Sequence, residues 1–397
     1  MSAPTSPLAK PERLVSLDAY RGFVMFLMAA EMLRVPAVAE HFKDSTIWQW
    51  LKFHSEHVAW TGCSLHDLIQ PSFSFMVGVA LPFSVASRIA RGQSKPVMWG
   101  HALFRALLLI LLGVFLRSMN KPMTNWTFED TLSQIGLGYP FLFALGFAGV
   151  RARWITLAAI LFGYWTFFAL YTPAPDHAAA MANVAAGWSH DFTGFAAHWN
   201  INNNAAWAFD RWFMNLFPRV KEFLGNPGGY STLSFIPTLG TMILGLIAGQ
   251  WLKDRREPKQ TMKLLVLAGA ASLALGWLLH VSGVCPSVKK IWTPSWTLVS
   301  GGWCFWLMAA FYGIIDVAKW QRWSFPFVVI GMNSIAMYVM AHTVDNFFAS
   351  ALDTHLGKNW AQIAGDAFAP MLHGGVVLLI LWLILLWMYR RRIFLRI

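Results

Sequence analysis

The chain has 397 residues, 56% of them hydrophobic and only 13% charged, with a mean hydropathy of +0.47. A soluble domain carries about 25% charged residues, so this composition excludes an ordinary water-soluble enzyme and points to a surface facing lipid. The net charge of +12 does not indicate nucleic acid, because the basic residues fall between apolar segments, where membrane lipid headgroups would meet them.

A membrane span needs roughly 20 apolar residues, and about ten such stretches follow one another. They cover residues 14–33, 65–87, 97–118, 131–150, 154–172, 232–252, 262–283, 296–318, 324–348 and 368–389. The expected fold class is all-α: a polytopic integral membrane protein with one transmembrane domain over residues 14–390. A disordered segment (1–13) precedes it and a basic tail (391–397) follows. The first apolar run contains Asp18 and Arg21, which does not suit a cleavable signal peptide. An even number of spans puts both termini on one side. Lys and Arg crowd the short loops there, at Arg88, Arg91, Lys95, Arg151, Arg153, Lys253 to Lys263, Lys319, Arg322 and Arg390 to Arg392. That bias makes both termini cytoplasmic, in a bacterial inner membrane, and leaves loops 34–63 and 173–231 on the periplasmic face. The 22 Trp and 31 Phe suit aromatic belts at both interfaces.

In chain order, the first polar signal is Asp18 and Arg21 inside span one. A charge inside a span costs at least ~2.5–3.5 kcal/mol and is a functional candidate by default; an i,i+3 ion pair is the structural alternative. Next, His54, Glu56, His57, His66 and Asp67 lead directly into span two. Histidines beside carboxylates at a membrane boundary can do proton chemistry near neutral pH. Arg105 falls within span three with no local partner.

Loop 173–231 carries His177, His190, His198, the run Asn200, Asn202, Asn203, Asn204, then Asp210 and Arg211, with Trp188, Trp199, Trp207 and Trp212. Amides, a carboxylate and flat rings suit a sugar-like ligand; a membrane-hugging segment over 206–216 is the plainer reading. Cys63, Cys285 and Cys304 show no disulfide framework and no metal spacing. A Cys63–Cys285 bond is conceivable on the outer face, with packed thiols as the alternative. No Walker motif and no dinucleotide glycine pattern occurs.

Placed by depth, the polar residues form a track. Asp18, Arg21 and Arg105 lie in the cytoplasmic half, followed by Asn333, Ser334 and Tyr338. Glu31, Asp67, Gln134, His342, Asp345, Asn346 and the His57 loop occupy the outer half. A track of this kind means a water- or ligand-lined path. Cations at one end and a histidine at the other suit a phosphorylated donor approaching from the cytoplasm.

Several motifs carry a resemblance. Leu14-Val-Ser-Leu-Asp18-Ala-Tyr-Arg21-Gly22 is similar to the opening motif of the heparan-α-glucosaminide N-acetyltransferase family. His57-x-x-Trp60-x-Gly62 followed by Asp67-Leu68-x-x-Pro71-x-Phe73-x-Phe75-x-x-Gly78 resembles its catalytic-histidine segment. Leu132-Ser-Gln134-Ile-Gly-Leu-Gly-Tyr139, Leu239-Gly-Thr-Met-Ile-Leu-Gly245-Leu-Ile-Ala-Gly249 and Gly331-Met332-Asn333-Ser334-Ile335 follow in the same order.

The resemblance implies a transmembrane acyltransferase that takes acetyl from cytoplasmic acetyl-CoA to a sugar or glycan amine or hydroxyl on the far side. It places His57 at the catalytic position as general base or transient acyl carrier, with Asp67 and Glu31 supporting it; His54 and His66 fall back to boundary residues. Donor contacts are expected at Asp18, Arg21, Arg105, Gln134, Asn333, Ser334 and Tyr338, with Asn333, Tyr338 or a backbone N–H as oxyanion donors. Acceptor contacts are expected at Trp60, Asn202, Asn203, Asn204, Trp207, Asp210, His342 and Asn346. No metal is expected, and the family often forms homodimers.

The chain also departs from the family. Only residues 1–13 precede span one, where the eukaryotic enzyme has a soluble luminal domain. Ser133-Gln134 stands where Gln-Arg is commoner. Glu31 or Met32 stands near an asparagine of the animal enzyme. The alternative reading is a secondary transporter of a small polar or sugar-like solute, with broken helices near 225–229 or at Gly301 and Gly302.

Overall fold

The computed structural model describes residues 14–173, 181, 184, 187–254 and 256–395. The expected disordered segment 1–13, His177 and the last two residues of the tail lie outside them. Among the described residues all regular elements are helical. They run α1 Val15–Ala29, α2 Val35–Ala39, α3 Thr46–Ser55, α4 Ile69–Ala90, α5 Lys95–Ser118, α6 Thr131–Gly146, α7 Val150–Ala169 and α8 Ala205–Phe213. Then come α9 Phe235–Lys253, α10 Pro258–Val281, α11 Pro294–Phe311, α12 Phe325–Met332, α13 Ser334–Thr343, α14 Asp345–Leu356 and α15 Ala369–Arg390.

Seven helices are long and apolar enough to cross a membrane, or eight if α12 and α13 form one span bent by 70°. Each of the ten expected stretches does hold a helix. Two of these fall short of a span by length: α1 has 15 residues and α6 has 16. Aligned charges explain part of this. Both carboxylate oxygens of Asp316, from the π turn after α11, accept the N–H groups of Val15 and Ser16 at 3.1 and 3.2 Å, which starts α1 abruptly. Asp130 caps α6 by accepting from Leu132 and Ser133 at 2.9 and 3.1 Å.

Helix α9 is the hub. In its span 83% of the apolar window is inside the protein, against 17% for α10 at the periphery. It packs chiefly on α4, while α1 packs on α12, α5 on α6 and α10 on α11. The α4–α9 crossing is close enough that a Cβ on Gly78 would overlap the Met242 carbonyl, and one on Gly245 the Phe75 carbonyl. Small residues let helix backbones approach this way where lipid supplies no hydrophobic drive. Phe75 then meets Phe305 of α11 edge-on at 5.1 Å.

Loop 173–231 builds a second core above the bundle, in which Trp60, Trp199, Ile201, Ile291, Tyr164 and Phe168 are buried together. An antiparallel bridge between Thr61 and Val288 ties the His57 loop to the connection between α10 and α11. The thiols of Cys63, Cys285 and Cys304 are free, so the conceivable Cys63–Cys285 bond is not formed.

Candidate active site

His57 follows α3 and precedes the turn that opens α4. Asp67, fully buried in that turn, is what fixes the loop. Its Oδ2 accepts the N–H groups of Val58 and Ser64 at 3.3 and 3.0 Å. Its Oδ1 lies 2.9 Å from His57 Nδ1 and 3.1 Å from Lys289 Nζ. A buried carboxylate with all these donors is well satisfied. Lys289 reaches it because residues 288–293 form a tight turn, in which Trp292 donates to the Lys289 carbonyl and Thr293 to the Val288 carbonyl. Burial lowers the Lys289 ammonium from its ordinary value, with Asp67 opposing. Burial likewise holds His57 below the ordinary histidine value; the Asp67 hydrogen bond pulls it up, and Lys289 and His66 push it further down. The net lowering favours the neutral ring, the form that can accept a proton.

His66 is where expectation and structure part. Its ring lies 4.4 Å from that of His57, and its Nε2 is 2.8 Å from Glu31 Oε1. Glu31, expected to support His57, acts on its neighbour instead. His54 is structural: its Nδ1 accepts the Leu65 N–H.

His57 opens onto a polar cavity of about 440 Å³ that is also lined by Glu31, His66, Lys289, His342 and Asn346. Asp345, expected on the outer half of the polar track, lines it as well, together with Arg34, Arg117, Glu129, Tyr230 and His373; these last five carry no sequence expectation as site residues, because they come from separate loops and helix ends. A second cavity of about 400 Å³, more apolar, lies toward the end that carries the termini. Asp18, Arg21, Arg105, Ser334 and Tyr338 line it, with Phe394 and Leu395 from the tail. The two cavities share Phe73, Thr131 and Tyr338, so they adjoin at one constriction, where Tyr338 stacks on His342 at 4.5 Å.

The second cavity has the chemistry of an anion site. Arg21 pairs with Asp18 at 3.4 Å. Arg105 sits over the Tyr139 ring, and its buried Nε has no hydrogen-bond partner among the described residues. The break at Asn333 starts α13 at Ser334, which lines the same space; a helix N-terminus favours negative charge.

Two residues expected at the donor are elsewhere. Gln134 Nε2 donates to the carbonyls of Phe128, Ser231 and Thr232 at 2.8, 3.3 and 3.1 Å. Asn333 holds the tail, donating to the Ile393 carbonyl at 2.9 Å and accepting the Leu395 N–H at 3.0 Å.

The acceptor residues expected at Trp60 and in loop 173–231 are likewise built into the protein. Asn202 donates to the Asn226 carbonyl, Asn204 caps α8, Trp207 donates to the Leu224 carbonyl and Trp60 to the Trp199 carbonyl. Asp210 accepts the Thr232 N–H at 2.9 Å, and Asn203 is buried in an antiparallel bridge with Asn200. None of these six lines the His57 cavity.

No protein-family model matches the chain. Among curated proteins it is similar to heparan-alpha-glucosaminide N-acetyltransferase of Homo sapiens, 24% identical over 428 residues covering 97% of this chain and 60% of that protein. It is also similar to the Mus musculus protein of the same name, 22% identical over 434 residues covering 98% of this chain and 61% of that one. The chain thus spans about 60% of the length of the curated relatives it matches. Both carry the same description, and the similarity covers nearly the whole of this chain, which supports the family resemblance.

Proposed function

We propose that the protein is a membrane-embedded acetyltransferase that moves acetyl from acetyl-CoA to an amine or hydroxyl of a sugar or glycan. The observation that carries this reading is the adjoining of the two cavities: a histidine held by a buried carboxylate faces one, and arginines with the first residue of α13 face the other. Arg21, Arg105 and the N-terminus of α13 suit the phosphates of the donor, and the apolar lining suits its pantetheine arm.

His57 Nδ1–H donates to Asp67, which leaves Nε2 to take the proton of the acceptor nucleophile. The nucleophile forms a bond to the thioester carbonyl, the C–S bond breaks, and the proton passes from His57 to the leaving thiolate. The Tyr338 hydroxyl, at the constriction, is the side-chain candidate for stabilising the oxyanion; Asn333, occupied by the tail, is not. His342 and Asn346 are the proposed acceptor contacts. The charge bias of the loops supports cytoplasmic termini, and on this reading the donor cavity faces the cytoplasm and the His57 cavity the periplasm.

The test is His57→Ala in purified full-length protein, with labelled acetyl-CoA and a panel of amino sugars. Transfer is expected to fall by about 10²–10⁴-fold while the protein elutes and unfolds as the wild type does. Undiminished transfer would sink the role.

The transporter reading keeps one observation in its favour, the 70° break at Asn333; Gly301 and Gly302, expected as breaks, lie inside continuous α11. It calls for solute uptake into proteoliposomes without acetyl-CoA.

A further inference from the structure

An ammonium group beside a histidine that must take up a proton needs a reason. Lys289 is 5% exposed, lines the His57 cavity and shares a single oxygen, Asp67 Oδ1, with His57. Lysine is almost never so buried unless paired, yet this pair is not private. The distances separate the two roles. Lys289 Nζ stands 2.9 Å from His57 Nδ1 and 3.5 Å from Nε2. The lone pair of Nδ1 points away from the ring, so a donor on it in the ring plane would be far more distant from Nε2. Nζ therefore lies against the ring face, and the in-plane direction at Nδ1 belongs to Asp67.

We propose that Lys289 is a positioning residue for His57: its ammonium, anchored on Asp67 and set against the imidazole face, disfavours the imidazolium and keeps Nε2 an open base toward the cavity. This deepens the acetyltransferase reading and rests on it. Left alone, a buried carboxylate beside histidine forms an imidazolium–carboxylate pair, and a base already protonated cannot take the acceptor's proton. Lys289 prevents that stable pair while leaving the orienting bond intact. In the reaction, the same cation makes the newly formed imidazolium give its proton readily to the thiolate.

Among the described residues, the charged groups near His57 come from several elements. Asp67 and His66 come from the turn before α4, Lys289 from the connection between α10 and α11, and Glu31 from the end of α1 through His66. Arg34, Arg117, Glu129, Asp345, His342 and His373 border the same cavity. Asp67 and Glu31 favour a charged ring; Lys289 and His66 oppose it.

Diethyl pyrocarbonate modifies neutral imidazole, so the pH dependence of His57 modification in full-length detergent-solubilised protein, read by peptide mass spectrometry, reports its titration without any substrate. The wild-type midpoint is expected below the ordinary value of about 6.5. Lys289→Met is expected to raise it by about one pH unit or more, and Lys289→Arg to leave it near the wild type. If Lys289→Met does not fold, Lys289→Gln, which keeps a donor for Asp67 without charge, carries the same expectation. A wild-type midpoint at or above the ordinary value overturns the proposal, and so does an unmoved midpoint in either folded neutral variant. Acetyl transfer assayed on the same wild-type sample separates the two readings. A shifted midpoint in protein that transfers no acetyl keeps the role of Lys289 and removes the acetyltransferase.

Discussion

Gln134 and Asp210 are polar residues whose sequence context suggests ligand contact and whose surroundings supply a structural duty. Three backbone carbonyls depend on Gln134 Nε2, two of them from the distant segment before α9. Gln134→Ala would leave buried acceptors unpaired, at a cost of about 1–3 kcal/mol. The expected result is a lower unfolding temperature in detergent with the KM for acetyl-CoA unchanged; a raised KM with unchanged stability would restore Gln134 to the donor site. Asp210 makes a prediction in pH. Burial raises its carboxyl from 3.8 to about 7, against the Thr232 hydrogen bond. Between those values the folded chain holds a proton that the unfolded chain has released, so stability falls as pH rises through that window and levels off above it. Asp210→Asn keeps an acceptor for the Thr232 N–H and removes the titration. It is expected to flatten the slope and to be more stable than the wild type at alkaline pH, as measured by unfolding at a series of pH values.

At the scale of the helices, the sequence made the long apolar elements plain, since α4, α5, α7, α9, α10, α11 and α15 stand close to the stretches that hydropathy marks. What escaped is local and depends on partners far along the chain. Helices α2 and α3 lie in what read as an open loop. Asp316 starts α1 from across the bundle. At the break, Asn333 bonds a tail that returns from residues 393–395. The same applies to the site: His57 and Asp67 are ten residues apart and legible together, whereas Lys289 arrives from 222 residues beyond Asp67 and carried no pattern to announce its burial. Glycine spacing, by contrast, was legible as motif without its cause. Gly78 and Gly245 let α4 and α9 touch backbone to backbone, so Gly245→Val is expected to abolish the monodisperse peak in detergent size-exclusion chromatography. Gly100→Ala, on α5 with open space around its Cβ position, should leave it unchanged; equal behaviour of the two variants would refute the role given to the crossing.

Taken as a whole, the molecule sets two unlike chambers side by side, and the proposed function gives one substrate to each. The chamber near the termini has arginines, a helix N-terminus and apolar walls; the other has His57, carboxylates and amide groups. If each chamber serves one substrate, mutations in each should affect one binding constant. Arg105→Ala removes a cation that Tyr139 holds in place and is expected to raise the KM for acetyl-CoA by about 10-fold or more, since charge-assisted contacts contribute roughly 1.5–3 kcal/mol. The acceptor KM should not move. Asn346→Ala, at the other end, should do the reverse. Tyr338 lies on the boundary, so Tyr338→Phe, which keeps the ring and removes the hydroxyl, should lower kcat and leave both KM values near the wild type. The two chambers also predict sidedness: in oriented proteoliposomes, acetyl transfer should require acetyl-CoA on the side of the termini and acceptor on the side of His57. Equal transfer with both substrates supplied only on the side of the termini would show that the constriction does not separate donor from acceptor, and the division of labour between the chambers would fall with it.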